Sequence, residues 1–196
     1  MRITVAVFER SFPNIQSCPE DEIDEFAFIG RSNVGKSSLL NMLTGKSGLA
    51  KVSQTPGHTR LINFFKINAK WRLVDLPGYG YAKVARENRA KFEQTVADYL
   101  ALRPNLRQIF VLIDSRLEPQ QIDLEFLSWL NELQRPFALV FTKCDKLKPN
   151  KMKGISGPLL EALTEWCPST PECFFTSSKT RDGRTDILRH ISEKLG

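Results

Sequence analysis

The chain has 196 residues, 41% of them hydrophobic and 26% charged, which suits one globular domain with a proper core. No apolar run approaches the roughly 20 residues of a membrane span, and Cys18, Cys144, Cys167 and Cys173 form no C-x-x-C pair and no ligand spacing with a histidine, which points to scattered thiols in a reducing cytoplasm. The net charge of +6 favours a polyanionic partner such as RNA.

Residues 1–10 carry a short apolar patch that Glu9 closes, with no small-residue cleavage site after it, so they read as an early strand or arm rather than a signal peptide. Residues 1–23 are expected to form an N-terminal arm, and 24–196 one domain. An acidic run, Glu20–Glu25, contrasts with 143–153, which holds five lysines and one aspartate. Phe26–Ile29 reads as a buried strand running into a glycine-bearing turn, followed by a helix over Ser37–Leu43. Residues 45–59, with Pro56 and Gly57, read as a loop. Ile62–Ile67 and Trp71–Val74 predict a strand pair with a tight turn at Asn68. After a glycine-rich loop at 77–80, the pattern of Phe92, Val96 and Tyr99 predicts a helix over 86–102. Then come a strand at 109–113, a helix at 120–133, a strand at 137–141, a helix at 155–166, a strand at 174–175 and a closing helix at 186–195. This alternation predicts a three-layer α/β domain. Its sheet is expected to be six-stranded and mostly parallel, with one antiparallel edge strand and helices on both faces.

Gly30-Arg31-Ser32-Asn33-Val34-Gly35-Lys36-Ser37 matches G-x-x-x-x-G-K-[ST], after a predicted strand and opening a predicted helix. Glycines let the backbone wrap phosphate oxygens with N–H groups, and the helix N-terminus adds partial positive charge. Lys36 would reach the β- and γ-phosphates, and the Ser37 hydroxyl would bind Mg²⁺. The loop alone leaves ATP and GTP open.

Three more stretches, in order and each after a predicted strand, resemble the translation-factor-like small GTPases. Asp75-Leu76-Pro77-Gly78 resembles D-x-x-G, and the resemblance implies that Asp75 holds Mg²⁺ through water while the Gly78 N–H senses the γ-phosphate. Thr142-Lys143-Cys144-Asp145 resembles N/T-K-x-D. A carboxylate can accept from the N1–H and exocyclic amine of guanine, a donor pair that adenine lacks. The Lys143 stem would lie over the base, while Thr142 replaces the commoner Asn. Thr176-Ser177-Ser178 resembles the element that closes over guanine O6. Each stretch taken alone also reads as an ordinary loop or helix cap.

Between the first helix and the strand pair, Gly57-His58-Thr59-Arg60-Leu61 offers Thr59 as the switch-one threonine on Mg²⁺ and the γ-phosphate, with Thr55 as the alternative. The catalytic candidates are Lys36, Thr59 and Gly78, and the metal candidates Ser37, Thr59 and Asp75. Together with Thr55-Pro-Gly-His-Thr59 and Ile62-Asn-Phe-Phe65, these motifs resemble the bacterial EngB (YihA/YsxC) GTPases over roughly residues 24–195. That resemblance implies GTP hydrolysis to GDP, a cytoplasmic protein without a membrane anchor, a monomer, and action on a precursor of the large ribosomal subunit and its rRNA late in assembly. Tyr79 stands where many relatives carry a water-orienting glutamine, which implies slow turnover. It also keeps open a GTP-gated RNA- or ribosome-binding module in which hydrolysis matters little. Asn33 matches the phosphate-loop asparagine of potassium-stimulated GTPases, or simply shapes the loop. Lys146, Lys148, Lys151, Lys153, Arg181 and Arg184 either meet rRNA phosphates or form a solvated face.

Overall fold

The computed structural model describes residues 1–50, 61–79, 86–152 and 154–196, the side chains of 86–93, 149 and 151 excepted. The strands are β1 (Ala6–Phe12), β2 (Asp24–Gly30), β3 (Ile62–Ile67), β4 (Trp71–Asp75), β5 (Leu106–Asp114), β6 (Phe137–Thr142) and β7 (Cys173–Phe175). The helices are α1 (Lys36–Thr44), α2 (Arg86–Leu102), α3 (Gln121–Glu132), α4 (Pro149–Met152), α5 (Gly157–Leu163) and α6 (Arg184–Lys194).

Among the described residues these strands make one seven-stranded sheet in the order β1-β3-β4-β2-β5-β6-β7. The α/β class is as expected, but the strand count and edge are corrected. β1 is the seventh strand, and the antiparallel strand is β3, which lies inside the edge and pairs with both β1 and β4. The physical reason is the turn. Asn68 and Ala69 take φ 50° and 57°, and the Lys70 N–H returns to the Ile67 carbonyl at 3.0 Å, a primed hairpin turn matched to strand twist. The Asn68 side chain also accepts from the Val5 N–H at 3.0 Å and donates to the Arg2 carbonyl at 2.9 Å, which draws the N-terminus onto the sheet.

Ion pairs then hold it there. Arg72, 1% exposed, donates from Nε to Glu9 at 2.8 Å and from Nη1 to Asp21 at 2.5 Å. Beside it the buried Glu25 accepts from the Tyr99 hydroxyl at 2.6 Å and from Arg103 at 2.8 and 2.6 Å. The acidic run thus supplies partners for two buried guanidinium groups, as buried charges require.

Apolar residues cover both faces of the sheet. Leu39, Leu40 and Leu43 of α1 share one core with Ile187, Leu188 and Ile191 of α6, while Tyr99, Leu127, Leu130, Leu159 and Leu163 fill the other. The strands β4, β2, β5, β6 and β7 are parallel, so their C-terminal ends share one rim. The strand order reverses beside β2, the place where open α/β sheets form a ligand crevice.

Candidate functional site

Five loops leave that rim, and the phosphate loop, the D-x-x-G stretch and the two guanine-motif stretches singled out in the sequence lie on them or at the strand ends beside them. Gly30 ends β2, and residues 31–35 lead to α1, capped by Gly35 at φ 107°, a conformation that side chains resist. Asn33 adds a second left-handed residue at φ 60°, which asparagine tolerates. Arg31, Ser32, Lys36 and Ser37 are half-buried, Val34 is buried, and Asn33 is exposed.

Asp75, 3% exposed, ends β4. Its Oδ1 pairs with the Lys36 ammonium, and its Oδ2 lies 3.4 Å from the Asn63 amide. The following Leu76 N–H bonds to the Phe28 carbonyl at 3.1 Å, which carries the D-x-x-G stretch alongside the phosphate loop. Leu76 and Pro77 are buried. Gly78 sits so close that a Cβ would meet the Gly30 carbonyl oxygen at 2.5 Å.

From β6, the Thr142 hydroxyl contacts the Val34 and Ile113 carbonyls at 2.6 and 3.2 Å. Threonine in place of asparagine therefore still makes polar contacts. Lys143, at φ 61°, donates to the Asn33 carbonyl at 2.5 Å and to Asp114 at 2.8 Å. Cys144 is buried, and its N–H bonds to the Thr176 carbonyl at 3.1 Å. Asp145 is exposed at the rim and accepts from the buried Ser177 hydroxyl at 2.9 Å. That hydroxyl in turn accepts the Thr180 N–H at 3.1 Å, so the serine has its hydrogen to give. Ser178 is exposed beside them.

Gly57, His58, Thr59 and Arg60, with Thr55, lie outside the described residues. Leu61 is described and exposed. Two carboxylates of the rim were not singled out in the sequence. Asp114 ends β5 and is chelated by Arg116 at 2.9 and 2.8 Å as well as by Lys143. Burial pushes its carboxyl up, but these hydrogen bonds prevail and lower it to about 2. Asp123, in the first turn of α3, accepts from the Tyr79 hydroxyl at 2.8 Å. A carboxylate just past an apolar strand was the available signal for Asp114. Asp123 reads in sequence as an ordinary acid at a helix start.

Arg184 is not free for a polyanion. It donates to the Met42 and Leu43 carbonyls at 2.9 and 2.8 Å and so satisfies the end of α1. Lys146, Lys148 and Arg181 are exposed. Lys153 lies outside the described residues, as does the side chain of Lys151.

The rim therefore offers backbone amides, an ammonium and a buried carboxylate at one end, and an exposed carboxylate at the other. Carboxylate and hydroxyl oxygens, from Asp75 and Ser37, are donors that Mg²⁺ accepts. No helix among the described residues is long and apolar enough to cross a membrane.

A family model described as 50S ribosome-binding GTPase matches residues 25–143. The Bacteroides fragilis protein named "Probable GTP-binding protein EngB" is 53% identical over 97% of this chain and 95% of its own length. A relative of the same name from Bacteroides thetaiotaomicron is 52% identical over the same shares. Among solved structures, one described as a probable GTP-binding protein engB is similar with a TM-score of 0.71 at 26% identity, covering 87% of this chain and 98% of that one.

Proposed function

Because this chain belongs to the EngB family of GTP-binding proteins, within the P-loop GTPases, we propose that it hydrolyses GTP slowly and acts as a cytoplasmic, monomeric switch in late assembly of the large ribosomal subunit. The observation that carries this reading is the placement of Lys36, Ser37 and Asp75 at one end of the rim with Asp145 and Ser177 at the other. The spread suits a nucleotide lying across the strand ends.

Residues 30–37 would cradle the phosphates, with Lys36 exchanging Asp75 for the β- and γ-oxygens. Ser37 and Asp75 would hold Mg²⁺, joined by Thr59, and the ion would neutralise charge on the phosphates. The Gly78 N–H would sense the γ-phosphate. Asp145, held by Ser177, would accept from the guanine edge, with Thr142, Lys143 and Cys144 shaping that end and Thr176 to Ser178 closing over it. Hydrolysis is in-line attack of water on the γ-phosphate, through positioning and charge stabilisation. Asn33 is a candidate for K⁺ beside the phosphates.

The exposed Lys146 and Lys148 suit contact with rRNA phosphates. The GTPase rate of purified protein, with and without large-subunit precursor particles, tests the assembly role. Stimulation is expected, and an unchanged rate would remove the timer reading. A second reading is a GTP-gated RNA-binding module. It draws support from Tyr79, which is held by Asp123 and carries no amide to orient water.

A further inference from the structure

Asp123 is 4% exposed in α3 and has no place in the nucleotide site assigned above. One of its oxygens accepts from Tyr79, the residue directly after Gly78, at 2.8 Å. The other lies 4.0 Å from the guanidinium of Arg31, the second residue of the phosphate loop. A single carboxylate on α3 therefore faces both segments that flank the γ-phosphate position.

Tyr79 is fixed at both ends. Its ring stacks on Phe126, one helical turn beyond Asp123, with centroids 4.2 Å apart and planes 18° from parallel. Gly78, immediately before it, is pressed against the Gly30 carbonyl. The stacked ring and the anchored phenol therefore fix Tyr79, and with it the backbone on the C-terminal side of Gly78. Burial raises the Tyr79 phenol well above its ordinary value, so it keeps its hydrogen and donates it to Asp123.

We propose that Asp123 and Tyr79 are positioning residues, a clamp that holds the Gly78 N–H against the phosphate loop and thereby sets the preference for GTP over GDP. The clamp rests on the reading of Gly78 as the γ-phosphate sensor. GDP has no group for Gly78 to meet, so its binding is indifferent to the clamp. A merely structural bond would weaken both nucleotides alike.

The test is the affinity of wild type, Tyr79→Phe, Asp123→Ala and Asp123→Asn for GDP and for a non-hydrolysable GTP analogue. Loss of one hydrogen bond to a charged group should shrink the analogue-to-GDP affinity ratio about tenfold in Tyr79→Phe and in Asp123→Ala. The double variant should lose no more than either single. Asp123→Asn still accepts from the phenol and should restore most of the ratio. GDP affinity should stay within about twofold throughout. An unchanged ratio in Tyr79→Phe, or an equal loss for both nucleotides, overturns the clamp while leaving the nucleotide site standing. A wild type that binds neither guanine nucleotide would end both readings. Should Asp123→Ala not fold, Tyr79→Phe decides alone, because it removes one oxygen and keeps the stack.

Discussion

The Thr142 hydroxyl lies 2.6 Å from the Val34 carbonyl oxygen, so the strand that carries the guanine motif is tied directly to the phosphate loop. Both groups are buried, and without the hydroxyl the carbonyl would lose its partner. Thr142→Val keeps the shape and should cost about 1–3 kcal/mol of stability. It should also weaken GTP binding several-fold, because the loop is less well held. Urea unfolding and nucleotide titration check this, and a variant as stable and as tight as wild type would refute the tie.

Guanine selection should depend on Asp145 and, more weakly, on Ser177. Asp145→Ala should erase most of the preference for GTP over ATP, at least about a hundredfold, since a site built on hydrogen bonds discriminates strongly. Ser177→Ala should erode it only several-fold, by freeing the carboxylate to rotate. Competition of ATP against labelled GDP measures both. Equal ATP and GTP binding by wild type would sink the assignment.

Asp114 predicts a pH dependence. Its folded carboxyl is lowered from 3.8 to about 2, with Arg116 and Lys143 outweighing burial. The linked stability is present above about pH 4 and is lost as pH falls toward about 2. Asp114→Asn should therefore cost about 2 kcal/mol at neutral pH, and the gap to wild type should narrow between about pH 4 and 2. Unfolding curves across that range decide it; a constant gap would show that the pairing contributes nothing through ionisation.

Arg72 anchors the N-terminal strand from inside the sheet. Arg72→Met leaves Glu9, Asp21 and Glu25 without this shared cation. It should destabilise the protein by about 3–5 kcal/mol, the usual range for breaking a buried pair. Faster amide exchange in β1 should accompany the loss. A cost under about 1 kcal/mol would place these pairs with ordinary surface bridges.

Replacing KCl by NaCl examines Asn33. If the residue supports a potassium site, hydrolysis should be faster in KCl, and Asn33→Ala should abolish the difference. Equal rates in both salts would leave Asn33 as a left-handed loop residue alone.

By itself the sequence determined the phosphate loop, the order of the guanine motifs and the alternation that makes an α/β layer structure. These depend on neighbours in the chain: glycines where the backbone must turn, apolar runs of strand length, and a lysine and serine at the helix start. Only the tertiary structure decided what the polar residues between motifs do. Glu25 is in sequence only the last member of an acidic run, yet it is buried beneath Arg103 and Tyr99, which lie more than seventy residues away. Arg184 looked available to a polyanion, but it satisfies the carbonyls of α1. Residues 1–10 admit either an early strand or an arm in the sequence, and pairing with β3 decides for the strand β1. An edge strand with exposed Val7 and Phe8 carries only a weak apolar pattern, and it forms because β3 offers an open row of backbone donors and acceptors and Arg72 offers charge. Local chemistry can be read along the chain, whereas the burial of a charge depends on which distant residue arrives to compensate it.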